Sequence, residues 1–404
     1  MYTHYHTIRR EALKMDQNRL YYQSPYVKSF MCTVTSCEEG KKGTWTVTLN
    51  QTGFYPEGGG QPSDTGTLNG IPVVYVHEKD GKILHELEAP LEPGTLAQGI
   101  VDWQKRYDNM QQHTGEHILS GLVHKHFGYD NVGFHMGAEE VTVDFNGILT
   151  QEQLDELEDE ANALVYANVP VKVLYPTEEE LASIDYRSKK ELTGQVRIVE
   201  IPGGDICACC GTHVENTGEV GIIKVRTMIH YKGGVRISML CGRRALIDYR
   251  ERLRDELSVS NLLSAKLALV PQAVEKLKND CQEKEMTIGR LYQQILAGKV
   301  QALPDSDGAL TVFEDGLSPY QLRQFATMLY EQKKGRVVGA FSGSDAENVY
   351  QYALGSSSCD MRCLSKALNG RLNGRGGGSA LMAQGTFRAD RAQIQAAFEE
   401  ETKK

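Results

Sequence analysis

Two pairs of metal-type side chains, far apart in the chain, constrain this sequence more than anything else in it. His113 and His117 stand four apart in a stretch of helical periodicity. Residues i and i+4 lie one above the other on a helix face, so both imidazoles can reach one ion. Cys209 and His213 stand four apart again, inside the Gly-containing turn Cys209-Cys210-Gly211-Thr212-His213. Three imidazoles and a thiolate are the borderline-soft set that zinc takes in tetrahedral geometry. Any fold that joins the pairs must bring a helix and a turn together across the chain.

Other donor sets compete. Cys207 and Cys210 have Cys-x-x-Cys spacing, so Cys207, Cys210 and His213 offer a structural site that leaves the helical pair unused. His124 lies seven residues beyond His117, about 10 Å along a helix axis, and cannot share its ion. Glu116 stands just before the second His, whereas zinc peptidases carry Glu just after the first. Peptidase chemistry is therefore disfavoured; Glu116 is left as a group that supports the ligands from behind, a proton shuttle or a plain solvated carboxylate.

At 404 residues the chain calls for two or three domains. Its 40% hydrophobic and 24% charged residues are those of a soluble globular enzyme. No stretch approaches the roughly 20 apolar residues of a membrane helix, and the first twenty residues do not read as a secretory signal. Nine cysteines, three of them at 207, 209 and 210, suit free thiols and metal binding in a reducing cytoplasm.

The net charge of −9 looks wrong for a nucleic-acid partner. The charge is uneven, however. Residues 151–160 hold six acids and no base, whereas 224–254 hold nine Lys or Arg, Arg243 and Arg244 among them, against two acids. A second basic window covers 362–391. Local basic patches thus persist under an acidic average.

Periodicity divides the chain into four parts. Residues 1–95 read as short strands, with 1–18 left without a clear place, and 96–245 as an α+β module with helices near 103–126 and 151–166. Residues 246–300 are helical. There Leu267, Val270, Val274, Leu277, Cys281, Ile288, Leu291 and Ile295 follow a heptad seam broken at Lys284, for a helical hairpin, a dimerising coiled coil or an ordinary packed pair. Residues 301–404 alternate strand and helix, with Ser318-Pro319 as a helix start and a glycine-dense loop at Asn373–Ser379. The expected fold class is α+β, with a barrel-like N-terminal module and a C-terminal α/β domain.

The segment Thr52–Gly66 lacks the Gly-Lys-Ser/Thr ending of a phosphate loop and reads by itself as a tight turn after a strand. Taken with the ligand pairs it says more. Thr52–Gln61, His113–His117 and Cys209–His213, in that order, resemble the editing domain of alanyl-tRNA synthetases and their free-standing relatives, the AlaX proteins. The family pattern is Thr-x-Phe-Tyr-x-Glu-x-Gly-Gly-Gln, then His-x-x-x-His, then Cys-x-Gly-Thr-His. Val101-Asp102-Trp103 and Asn216–Gly221 match as well, and the resemblance covers roughly residues 19–245. Cys210 departs from it, since the family usually has Gly there. Gly374–Gly378 and Ala383-Gln384-Gly385 are similar to the domain that follows the editing module in the synthetase and accompanies DHH-type phosphoesterases.

The resemblance implies a zinc ion on His113, His117, Cys209 and His213, and a pocket lined by Thr52 and Gln61 that recognises a serine hydroxyl, with Glu116 a further candidate. It implies ATP-independent hydrolysis of the ester of serine, or of glycine, on alanine tRNA. Arg375, Gly376 and Gly377 become candidate tRNA contacts, joined by Arg243 and Arg244. A non-catalytic zinc-containing tRNA-binding protein is the alternative; a zinc hydrolase of small esters fits the basic patches less well.

Overall fold

Strands alternate inward and outward side chains, and between Ser29 and Val101 that alternation rolls the chain into a cylinder. In the computed structural model, which describes residues 18–40, 43–188 and 195–403, six strands lie here: β1 (Ser29–Glu39), β2 (Trp45–Leu49), β3 (Gly66–Leu68), β4 (Ile71–Lys79), β5 (Lys82–Leu87) and β6 (Leu96–Val101). They close into an antiparallel barrel in the order β1-β2-β5-β4-β3-β6. Val34, Val47, Leu68, Val76, Leu87, Ala97 and Phe54 fill its interior. Closure leaves no edge strand exposed. The expected barrel-like module is present; residues 1–17 lie outside the described residues.

From Asp102 the pattern changes period. The Asp102 carboxylate accepts the Lys105 N–H and starts α1 (Trp103–Phe127), which ends at Gly128 in the left-handed region, φ 68°. From Asn109 to Val123 every residue of α1 is buried. Around it lie β7 (Asn131–Met136), β8 (Val141–Phe145), α2 (Gln151–Ala167), β9 (Lys172–Leu174), β10 (Ile198–Ile201), β11 (Asp205–Ala208), β12 (Ile223–Tyr231) and β13 (Gly234–Cys241). The strands form a four-stranded sheet, β12-β13-β8-β7, and a three-stranded one, β11-β10-β9.

Two glycines of α1 permit this packing. A Cβ on Gly115 would stand 2.2 Å from Cys241 Sγ, and one on Gly121 2.1 Å from the Gly204 carbonyl. The second contact sets the turn before β11 directly against the helix that carries the histidine pair. The acidic run 151–160 is α2, capped by Thr150 and Gln153. It is partly neutralised: Glu158 meets Lys224 at 2.6 Å and Glu160 meets Lys125 at 2.9 Å.

The chain divides into two compact units between Glu256 and Leu257. The expected modules 1–95 and 96–245 therefore share one unit. Helix α3 (Gly242–Leu263) runs through the division, and α4 (Val270–Ala302) follows with Pro271 in its first turn. Along α4 the heptad positions Val274, Leu277, Ile288, Leu291 and Ile295 are each about half exposed.

The second unit continues with β14 (Ala309–Phe313), α5 (Pro319–Glu331), β15 (Val337–Ser344), β16 (Val349–Gly355), α6 (Met361–Arg371), β17 (Arg375–Gly378), β18 (Met382–Phe387) and α7 (Arg391–Lys403). Its sheet runs β14-β15-β16-β18-β17, with only β14 and β15 parallel. One expectation is corrected here. The glycine-dense stretch before the last strand is not a loop: Arg375, Gly376, Gly377 and Gly378 form an exposed edge strand paired with β18. Glycine suits it because Cβ atoms on Gly376 and Gly378 would stand 2.4 and 2.1 Å from the Gln384 and Met382 carbonyls. Among the described residues no single helix is long and apolar enough to cross a membrane.

Candidate metal centre

Helix α1 presents His113 and His117 on one face, and the turn after β11 brings Cys209 and His213 to them. The four donor atoms lie within 4.8 Å of one another, and only Cys209 is not fully buried. Cys209 Sγ stands 3.5 Å from His113 Nε2 and 3.4 Å from His213 Nε2. The turn fits tightly: a Cβ on Gly211 would stand 2.1 Å from His113 Cε1.

Each imidazole is oriented by a partner on its other nitrogen. His113 Nδ1 meets Gln61 Oε1 at 2.8 Å. That amide is not free to flip, because Oε1 also accepts the Thr212 N–H while Nε2 donates to the Thr212 hydroxyl. His117 Nδ1 donates to Asp205 Oδ2 at 2.7 Å, and His213 Nδ1 faces the Thr114 hydroxyl at 3.2 Å. With the Nδ1 atoms of His113 and His117 donating to oxygen acceptors, three Nε2 atoms and one sulfur converge as a ligand set does. Arg187 completes the outer layer with a two-point contact to Asp205, at 2.8 and 2.7 Å.

The electrostatics ask for a cation at the centre. Burial pushes the Cys209 thiol up, but the imidazoles of His113, His117 and His213 outweigh it and hold Cys209 well below the usual thiol range. Burial, helped by the neighbouring His113 and His117 and opposed by Cys209, drives His213 down to about 3. Asp205, although burial raises it, is held at about 2 by His117 and Arg187. A thiolate, a neutral His213 and a carboxylate-backed His117 fit a divalent soft-to-borderline ion.

Asp205→Asn keeps shape and loses the acceptor charge behind His117. The variant should bind metal about 10- to 100-fold more weakly, in a chelator competition titration. Unchanged affinity would show that Asp205 does not tune the site.

The remaining candidates fall as follows. Cys210 is exposed. Cys207 is buried behind His117 and Asp205, its thiol raised by burial to about 11. Among the described residues no donor cluster joins Cys207 and Cys210 with His213. Glu116 lies on another face of α1, where it accepts from Ser120 Oγ at 2.6 Å and from Asn131 Nδ2. Its carboxylate serves that buried network, so the shuttle role expected of it lacks geometry.

Gln61 is wholly buried and orients His113, which is a different task from lining a pocket. Thr52 donates to His85 Nε2 at 2.8 Å and accepts the Phe54 N–H. His85 can accept because burial keeps it neutral, down to about 4, with Nδ1 donating to the Val47 carbonyl. Arg244 pairs with Asp108 at 2.6 Å, Arg243 is exposed, and Arg375 is exposed on the edge strand of the second unit.

A buried ion pair, unmarked by any motif, fixes the glycine-rich segment. Arg106 and Asp64 are both fully buried and meet through Nε at 2.9 Å and through Nη2. Arg106 also donates to the carbonyls of Pro25 and Gly53, while Asp64 accepts the Tyr55 N–H. Helix α1 thereby grips the segment that delivers Thr52 and Gln61.

Known proteins resemble this chain over most of its length. Residues 196–238, which include Cys209 and His213, match the family described as the threonyl and alanyl tRNA synthetase second additional domain. The alanyl-tRNA editing protein AlaX-L of Pyrococcus horikoshii is 30% identical over 93% of this chain and 96% of its own length. Alanyl-tRNA editing protein Aarsd1 of Mus musculus is 32% identical over 63% of this chain and 66% of its own. The alanine–tRNA ligase of Methanoregula boonei is 32% identical over 91% of this chain, which spans only 41% of that ligase. A match that runs nearly end to end with an editing protein, and over less than half of a ligase, makes this chain a member of the alanyl-tRNA editing protein family.

Proposed function

We propose that this chain is a zinc-dependent hydrolase that acts in trans on alanine tRNA mischarged with serine, and with glycine as a second substrate. The observation that carries the reading is the convergence of three oriented Nε2 atoms and one thiolate beside the segment that holds Thr52 and Gln61. A zinc ion bound there would supply a positive charge and a Lewis acid next to the aminoacyl ester. Four protein donors fill a tetrahedral site, so orientation of the substrate suits this site better than delivery of water from a fifth position.

The protein groups do the rest. Gln61, Asp205 and Thr114 hold the imidazoles in place. Thr52 has given its proton to His85 and one lone pair to Phe54, which leaves one lone pair to accept a serine hydroxyl. Alanine lacks that hydroxyl, and a site built around such a bond rejects the analogue without it. The half-exposed seam of α4 supports a homodimer through paired helices, to be checked by sedimentation.

The test is release of labelled serine from seryl-tRNA of alanine type, compared with release of alanine from the correctly charged form. Serine should leave at least about 100-fold faster. Tight tRNA and metal binding with no release of serine would instead establish the non-catalytic reading.

A further inference from the structure

A second feature of the first unit is a cavity of about 460 Å³ between the start of α1 and the start of α3. Asp102, Lys105, Asp108, Arg243 and Arg244 line it. Its acids are already engaged. Asp108 takes a two-point contact from Arg244, through Nε at 2.7 Å and Nη2 at 2.6 Å, and Arg244 Nη1 donates to the Gly137 carbonyl. Asp102 accepts the Lys105 backbone N–H as the cap of α1. Two cations are left over. Neither the Lys105 ammonium nor the Arg243 guanidinium has a hydrogen-bond or ion-pair partner among the described residues.

Lys105 is only partly exposed, and burial lowers its pKa against the pull of Asp64 and Asp102. A cation withdrawn from water without a hydrogen-bonded counter-charge favours an anion beside it. The pair of cations stands out in a chain of net charge −9.

The cavity sits on the helix that carries two of the metal ligands. Lys105 precedes His113 by eight residues, about 12 Å along the axis, and at roughly 100° per residue the two side chains leave α1 about 80° apart. An anion held there belongs to the part of a substrate beyond the reacting ester.

We propose that Lys105 and Arg243 form a seat for a backbone phosphodiester of the tRNA, upstream of the terminal nucleotide whose ester meets the metal centre. The seat rests on the reading that this chain acts on tRNA. Phosphate contacts fix register on a nucleic acid without reading its sequence, so the site would position every tRNA that enters.

The full chain, as wild type and as the double variant Lys105→Ala, Arg243→Ala, tests this in two measurements. The first is affinity for uncharged alanine tRNA as a function of KCl concentration. Loss of that phosphate contact should weaken binding about 10-fold near 0.1 M salt and flatten the slope of log K against log salt by about 0.7 to 0.9. The second is hydrolysis of seryl-tRNA beside that of seryl-adenosine, which has the ester and no phosphodiester. The variant should show a raised KM for seryl-tRNA and wild-type rates on seryl-adenosine. Unchanged affinity and slope would overturn the seat. So would an equal loss on seryl-adenosine, which would mark a structural defect. Failure of the editing reading looks different: wild type would hydrolyse neither ester, while the salt slope would still report on the phosphate contact.

Discussion

His117→Ala should remove stable zinc binding and lower release of serine from seryl-tRNA by roughly 100-fold or more, because the reacting group loses its positioned partner. His117 stands at the junction of the site. Its ring is 5.2 Å from that of His113 and 4.8 Å from that of His213, and its Nδ1 leans on Asp205. Truncation leaves three donors and a gap on the α1 side. Asp205 keeps its contact with Arg187, so the unit should still fold, and far-ultraviolet circular dichroism should match wild type. A variant that keeps one zinc and full deacylation would place the chemistry elsewhere.

Asp64→Ala should destabilise the first unit by about 3–5 kcal/mol in urea unfolding followed by tryptophan emission. The pair is wholly buried, so removal of the carboxylate strands a guanidinium that no water reaches. The carbonyls of Pro25 and Gly53 remain as acceptors but carry no full charge. The Tyr55 N–H also loses its acceptor. Activity should fall with stability, since the pair anchors the segment bearing Thr52 and Gln61. A loss below about 1 kcal/mol would mean that neighbouring carbonyls alone satisfy Arg106.

These two residues mark the line between what the sequence discloses and what it conceals. His113, His117, Cys209 and His213 are legible because spacing along a helix or within a turn is a local property. The barrel strands and α1 are legible for the same reason, since period two and period 3.6 are written in consecutive residues. Asp205, Thr114 and Arg187 are not, because each works through a partner that only the folded chain brings near. Arg106 in a helix reads as a surface cation, and nothing nearby points to Asp64, 42 residues earlier. Gly121 reads as a helix weak point, although its missing Cβ is what lets the Gly204 turn touch α1.

Two departures have the same origin. Glycines 376–378 carry a turn signal, yet they form a strand in which close approach to β18 demands that Gly376 and Gly378 lack side chains. Glu116 beside two ligands invites a catalytic role, and a rotation of 100° per residue sends it to Ser120 and Asn131 instead.

The most direct test of the account is a zinc titration of chelator-treated protein, with serine release from seryl-tRNA followed at each addition. Activity should rise linearly and stop at one zinc per chain, with His117→Ala flat throughout. Full release from the metal-free protein, or a rise unaffected by that substitution, would contradict the central claim that these four side chains carry the hydrolysis.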